Sequence, residues 1–421
     1  MNSIYHTQHA KYIRFLFWCY LLLLLFEGAL RKWITPGLST PLLVVRDPFA
    51  IAIFFLSYQI GIFPRNKYAN QLYLLGIACG LISLFTPAGL KITLFGMRTN
   101  FLHLPLMFIM PMVFNFKDFI KIGKFLTVIS IPMAFIVAEQ FQATPDDVIN
   151  TAAGGVGTQL ETSGGKVRGS GTFTFVTGIV SYFSLVLAFT IAAYFRKKTF
   201  PWWMLLLGLG SIFIAMATSG SRSVVAGCFE VLAAFAFLGW FRFKEFGKIT
   251  GFVFISGSIL LIVSQTQLFT EGLEILNMRF EEAASSEMGP VEEFFARNKY
   301  IFSAPFTFSA SAGLFGIGLG SGTNASLAMG YGFYGENEWA RNILESGFIL
   351  GNLFILWRLQ LVWLIVRKSI AHLKVGNYFP IFIAGASIST LLYCRLGQPT
   401  ALGFATIGAG LCFTSMNATR R

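Results

Sequence analysis

The run Phe15-Leu-Phe-Trp-Cys-Tyr-Leu-Leu-Leu-Leu-Leu-Phe-Glu-Gly-Ala-Leu30 carries Glu27 as its only charge. It continues into Arg31-Lys-Trp rather than a small-residue cleavage site, so it reads as a retained helix and not as a signal peptide. A hydrocarbon core about 30 Å thick is spanned by roughly 20 apolar residues. Comparable runs recur along the chain, and the periodicity places helices near residues 15–30, 48–63, 71–88, 101–114, 125–141, 173–195, 201–218, 224–241, 249–266, 347–366, 378–396 and 400–416. Of the 421 residues, 55% are hydrophobic and 12% charged, against roughly 45–50% and about 25% in soluble domains. A water-soluble globule is excluded. The runs are continuous rather than alternating, which excludes a membrane β-barrel. The expected fold is an all-α, polytopic transmembrane bundle of about 12 helices, one integral membrane domain over residues 1–421.

The formal net charge of +13 would suggest nucleic acid in a soluble protein. Here the basic residues cluster at helix ends, where they orient a membrane protein, and no nucleic-acid surface is indicated. One side carries Lys11, Arg14, Arg65, Lys67, Lys117, Lys121, Lys124, Arg196, Lys197, Lys198, Arg242, Lys244, Lys248, Arg367, Lys368, Lys374, Arg420 and Arg421. The opposite short loops carry half as many: Arg31, Lys32, Arg46, Lys91, Arg98, Lys166, Arg168, Arg222 and Arg395. The richer side is the cytoplasmic one, with both termini on it. Two long loops, 142–172 and 267–346, then face outward. The first, rich in Gly, Thr and Ser, is expected to be mobile. The second opens with an amphipathic pattern, Leu268, Leu273, Ile275, Leu276 and Phe280 among Glu271, Glu274, Glu281 and Glu282, suited to a helix on the membrane face. Phe294, Phe295 and Tyr300 continue it after Pro290. The cysteines Cys19, Cys79, Cys228, Cys394 and Cys412 lie in apolar segments without metal-ligand spacing, so neither a zinc site nor a disulfide framework is implied.

Basic residues on the outer side run against insertion preference and call for another explanation. Arg46, Arg98, Arg168, Arg222 and Arg395 stand at outer helix ends, where guanidinium forks suit phosphate oxygens. The plainer reading is that they anchor at the interface or pair locally, Arg46 with Asp47 for example. Glu338, Arg341 and Glu345 are spaced i, i+3 and i+7 and share a helical face, as in a surface ion-pair ladder. The sharper reading makes Glu336 or Glu338 a general base while Arg341 holds a phosphate. Glu230 and Arg358 fall about 9 and 17 Å into their helices, either as a buried pair or as separate structural groups. Glu27 and Arg31 neutralise each other at i, i+4. His103 is the one histidine near these residues and reads as packing. The turn Leu314-Phe-Gly-Ile-Gly-Leu-Gly-Ser-Gly lacks the ending and the βαβ setting of a phosphate loop, and Asp146-Asp147 is a bare acidic pair.

Taken in order, Arg168-Gly-Ser-Gly-Thr-Phe, Thr218-Ser-Gly-Ser-Arg-Ser, Leu314-Phe-Gly-Ile-Gly-Leu-Gly and Glu336-Asn-Glu-Trp-Ala-Arg-Asn-Ile-Leu-Glu-Ser-Gly-Phe resemble the bacterial O-antigen ligase and polymerase superfamily, over roughly residues 168–350. Arg31-Lys-Trp and Arg46-Asp-Pro extend the likeness upstream. The resemblance implies a membrane glycosyltransferase of the bacterial cytoplasmic (inner) membrane, without metal or nucleotide-sugar cofactor. Its partners would be a polyprenyl-diphosphate-linked glycan, a glycan or lipid acceptor, membrane lipids, and a chain-length regulator or flippase. By motif, Arg168 and Arg222 would contact the diphosphate. Ligases of this type place a histidine in the large outer loop; this chain has Glu336-Asn-Glu there, which tilts the reading toward a polysaccharide polymerase. The competing classes are a secondary transporter or lipid-linked-sugar flippase using Glu230 and Arg358, and a scaffold without chemistry.

Overall fold

The computed structural model describes residues 8–162, 164–196, 198–285, 290–323, 326–327, 329–333 and 337–417. Among them there is no strand; two isolated bridges, Thr151 with Thr158 and Glu161 with Val167, are the only extended pairings. The helices longer than two turns are α1 (Gln8–Ala29), α2 (Asp47–Gln59), α3 (Lys67–Ser83), α4 (Gly89–Met97), α5 (Leu106–Val113), α6 (Phe116–Gln142), α7 (Val176–Phe195), α8 (Trp202–Thr218), α9 (Arg222–Phe241), α10 (Phe246–Val263), α11 (Gln267–Ser285), α12 (Pro290–Thr307), α13 (Glu338–Lys374), α14 (Phe379–Leu392) and α15 (Pro399–Asn417). Among the described residues, 9 helical stretches are long and apolar enough to cross a membrane, and α8 and α14 are shorter apolar helices beside them. This is the architecture of a multi-pass helical membrane protein.

Each segment expected to be helical is helical, with instructive shifts at the ends. α6 begins at Phe116 rather than near 125, because Asn115 and Asp118 form a reciprocal capping box and the first turns carry Lys117, Lys121 and Lys124, which hide the helix from an apolar reading. The 101–114 segment divides into a π-helical turn, Arg98–Leu102, and α5. α14 stops at Leu392, leaving Tyr393 to Gln398 as a turn before α15. Asn66 and Asn337 cap α3 and α13 through their side-chain oxygens.

α7 and α15 form the centre, with 89% of each span buried by protein, whereas the span containing α10 is 6% buried and lies at the rim. Apolar burial does not drive helices together in lipid, so close approach and packing must do so. At Gly408 of α15 an added Cβ would lie 2.4 Å from Ser387 Oγ of α14, a contact only glycine permits. Large exposed apolar side chains such as Phe55, Leu74, Phe254 and Ile262 cover the rim, as lipid-facing surface requires.

Residues 142–172, expected from the sequence to form a mobile outer loop, are hydrogen-bonded to neighbouring elements toward both ends. Asn150 Nδ2 donates to Gln140 O (3.1 Å) and Thr144 O (2.8 Å), and Lys32 Nζ donates to Gly171 O (2.6 Å) and Ser170 Oγ (3.1 Å). Thr172 Oγ1 donates to Leu25 O (2.5 Å), fastening the loop to α1.

α13 is bent at Gly347, whose φ of 77° and ψ of 175° are open to glycine alone. The break frees backbone carbonyls and an N–H, and the glycine-rich segment supplies their partners: Ile317 N donates to Leu344 O (2.9 Å), Gly318 N donates to Glu345 O (3.1 Å), and Gly313 O accepts from Phe348 N (2.8 Å). The glycines are there because backbone packs on backbone: a Cβ on Gly316 would sit 2.5 Å from Glu345 O. Gly347→Ala therefore combines backbone strain with a clash against Leu314 O at 2.2 Å. Thermal unfolding in detergent should show it destabilised by about 1–3 kcal/mol, and unchanged stability would contradict this account of the bend.

Candidate functional site

Polar contacts gather at one end of the bundle, where α1 ends, α2 begins, α4 ends, α7 begins, α8 ends and α9, α13 and α15 begin. Arg46 Nη2 donates to Pro399 O (2.5 Å), Arg341 Nη2 to Asn100 Oδ1 (2.9 Å), Arg358 Nη2 to Cys394 O (3.1 Å), Arg395 Nη2 to Gly322 O (3.4 Å), and Thr177 Oγ1 to Gln398 Oε1 (3.2 Å). These bonds cross-link the ends of helices far apart in sequence. The arginines singled out from the sequence all lie at this end, Arg395 against the glycine-rich turn and the others in three separate groups.

The first group is fully enclosed. Arg341 donates through Nε to Glu338 Oε2 (2.8 Å), through Nη2 to Glu338 Oε1 (2.9 Å) and through Nη1 to Glu345 Oε2 (2.8 Å). Arg358 Nη1 donates to Glu338 Oε1 (2.9 Å) and its Nε to Leu391 O (2.7 Å), while Glu345 Oε1 accepts from Gly322 N (2.8 Å). Two cations and two anions balance, with side-chain exposure of 0–1% throughout. Spacing alone suggested a surface ladder; the ladder exists, but buried. It also corrects two finer expectations. Glu338 has both oxygens committed to guanidinium groups, so it has no accessible lone pair for a general base, and Arg341 has no free edge for a phosphate. Arg358 pairs with Glu338, not with Glu230, which accepts from the Tyr393 hydroxyl (3.3 Å). Glu336 lies outside the described residues.

The second group runs from α1 through α2 to the π turn. Glu27 accepts from Arg46 Nε (3.1 Å) and Arg31 Nη1 (3.5 Å). Asp47 accepts from Arg98 Nε (2.5 Å) and makes a hydrogen bond with His103 Nε2 (3.0 Å), while His103 Nδ1 meets the Tyr20 hydroxyl (2.9 Å). Arg98 Nη2 donates to Leu43 O. Arg46 thus pairs with Glu27 and not with its neighbour Asp47. His103 is a structural linker with both ring nitrogens engaged.

The third group is built by the loop before α7, the N-terminus of α9 and the amphipathic α11. α11 crosses the end of α8, where Gly272 packs on the Ala217 carbonyl, and this brings Arg279 over Arg168 and Arg222. Gly220 packs on Thr162 and the Arg168 stem. Burial, then the charges of Arg279 and Arg222, hold the Arg168 guanidinium below its ordinary range, with Glu282 opposing them. Arg279 Nη1 donates to Glu282 Oε2 (3.0 Å), yet Arg168 Nε and Arg279 Nε are buried without a hydrogen-bond partner. Three guanidinium groups gather here, and the unpartnered Nε donors of Arg168 and Arg279 are suited to an anion.

No protein-family model matches the chain, and no curated protein does. The site's own chemistry therefore carries the functional reading. Among the described residues no group of three or more His, Cys, Asp or Glu side chains is placed to hold a metal ion.

Arg168 lies within electrostatic reach of Arg222 and of Arg279, which the sequence reading passed over. Its signal was its position as a lone cation among the glutamates of an amphipathic helix. Arg46, Arg98 and Arg341 belong to other groups and do not join that cluster; Arg395 sits against the glycine-rich turn. Lys32, buried and bonded to the Ser170–Gly171 backbone region, was also missed as a structural tie. Removing the charge of Glu338 leaves Arg341 and Arg358 buried without their shared counter-ion. Glu338→Gln should cost on the order of 3–5 kcal/mol in unfolding experiments, whereas a stable variant would show that the network is not what holds α13 in place.

Proposed function

We propose that this protein is a membrane glycosyltransferase that polymerises or transfers oligosaccharide from a polyprenyl-diphosphate carrier in surface-polysaccharide synthesis. The observation that carries this reading is the Arg168, Arg222 and Arg279 cluster, with buried unpartnered donors on two of its members. In the proposed topology about twelve helices cross the inner membrane, both termini are cytoplasmic, and the cluster and the long loops 142–172 and 267–346 face outward. That places the chemistry where lipid-linked glycans are displayed and cytoplasmic nucleotides are absent. The order of the sequence motifs supports the same assignment.

The reaction follows from the charge distribution. An acceptor hydroxyl attacks the anomeric carbon, the bond from that carbon to the diphosphate oxygen breaks, and the electron pair stays on the diphosphate. Clustered guanidinium groups stabilise the charge developing there. The hydroxyl proton passes to a carboxylate, and with Glu338 committed to Arg341 and Arg358 the role falls to Glu336. A single displacement inverts the anomeric configuration. A flippase or transporter reading loses its proposed internal pair, because Arg358 and Glu230 hold different partners.

Incubating the purified protein with a polyprenyl-diphosphate oligosaccharide should yield longer glycan and released carrier. Arg168→Ala and Arg222→Ala should each lower turnover by about 100-fold or more, the scale on which loss of a charge-stabilising donor acts, with membrane levels maintained. Normal polymer from both variants would remove the basis of the proposal. Glu336→Gln should abolish turnover, and product stereochemistry should be inverted.

A further inference from the structure

A cavity of about 650 Å³ opens between α2, α3, α4 and the π turn that follows α4, within the range of roughly 300–1,000 Å³ typical of ligand pockets. Its walls are apolar, including Phe54, Leu72, Met97 and Phe101, and its polar members are Arg98 and Tyr73. Two wall residues, Ile77 and Leu94, are each 58% exposed on the apolar rim, so the mouth opens sideways toward lipid rather than water.

Both polar members hold an unsatisfied donor. Arg98 is 8% exposed and gives Nε to Asp47 and Nη2 to Leu43 O, while its Nη1 is buried without a hydrogen-bond partner. The Tyr73 hydroxyl is likewise buried and unpartnered. Leaving such groups unpaired is costly, most of all for a charged one, so two on residues that line one apolar cavity point to an occupant with two acceptors. The charge around Arg98 sets what the first acceptor is. Arg31, Arg46 and Arg98 face Glu27 and Asp47 in a bonded chain joined through the Tyr20 hydroxyl and His103, leaving a single positive charge over the whole chain when His103 is neutral.

We infer that this cavity binds one chain of an anionic glycerophospholipid, whose phosphodiester meets Arg98 Nη1 and whose ester carbonyl accepts from the Tyr73 hydroxyl. A phosphodiester carries the one negative charge that the bonded chain can balance. A diphosphate would bring more charge close to Asp47, and a polyprenyl tail has no acceptor for Tyr73. The site is distinct from the Arg168 cluster: α2, α3 and α4 do not take part in that cluster, which α9, α11 and the loop before α7 build. It stands whether or not the protein transfers glycans.

The test uses the purified full chain in detergent, titrated separately with phosphatidylglycerol, phosphatidylcholine and a polyprenyl phosphate, and read by native mass spectrometry and thermal unfolding. Phosphatidylglycerol should bind with one tightly held copy per chain and raise the unfolding temperature with the logarithm of its concentration above saturation, with phosphatidylcholine markedly weaker. Arg98→Gln should weaken phosphatidylglycerol binding on the order of tenfold or more, and Tyr73→Phe by several-fold. Because Arg98 also holds Asp47, the deciding variant is Ile77→Trp, which fills the cavity from its exposed wall and leaves both donors in place; it should abolish the tight copy while the protein stays folded. Equal binding of the two phospholipids, tight binding that survives Ile77→Trp, or displacement of phosphatidylglycerol by equimolar polyprenyl phosphate would each overturn the assignment.

Discussion

Charge cannot be left alone inside a protein that is itself inside a lipid layer, and the Glu338, Arg341, Glu345 and Arg358 network is where this constraint acts most strongly. Each guanidinium edge there is met by a carboxylate, an amide or a backbone carbonyl. Such a network is a poor source of net stability, because desolvation offsets most of the attraction, but it is intolerant of losing a member. Its partners come from α13, the π turn, the turn before α15 and the glycine-rich turn, so satisfying it requires those elements to be in register together.

The bend at Gly347 is the backbone counterpart of the same constraint. A helix interrupted where it is buried exposes carbonyls that water does not reach, and such a break is tolerated only where protein supplies the missing bonds. The turn around Gly316 and Gly318 supplies them. Its glycines allow two stretches of main chain to touch, which explains a motif that otherwise looks like a phosphate loop without its lysine.

Against this background the Arg168, Arg222 and Arg279 cluster is anomalous. The packing of α11 across α8 crowds like charges there, and although Arg279 bonds Glu282, two of the three guanidinium groups keep a buried Nε without a hydrogen-bond partner. A buried donor left without a partner is costly, and the place it leaves for a ligand oxygen is why this cluster carries the functional proposal. The single unfilled donor of Arg98 is a smaller case of the same imbalance, set in an apolar wall.

Local composition was sufficient for the helical class and the approximate position of each membrane segment, because apolar runs such as Phe15 to Leu30 can satisfy their backbone in lipid in only one way. It was also sufficient to mark arginines at helix ends as unusual, and the i, i+3 and i+7 spacing of Glu338, Arg341 and Glu345 correctly placed them on one face. What no local reading could supply was the partner of each charge. Arg46 took Glu27 instead of the adjacent Asp47, Arg358 took Glu338 instead of Glu230, and Glu338 changed from an open base to an enclosed counter-ion. The reason is physical: helix formation depends on hydrogen bonds within one segment, whereas the state of a buried charge depends on every element that closes around it, and those elements meet only in the packed bundle.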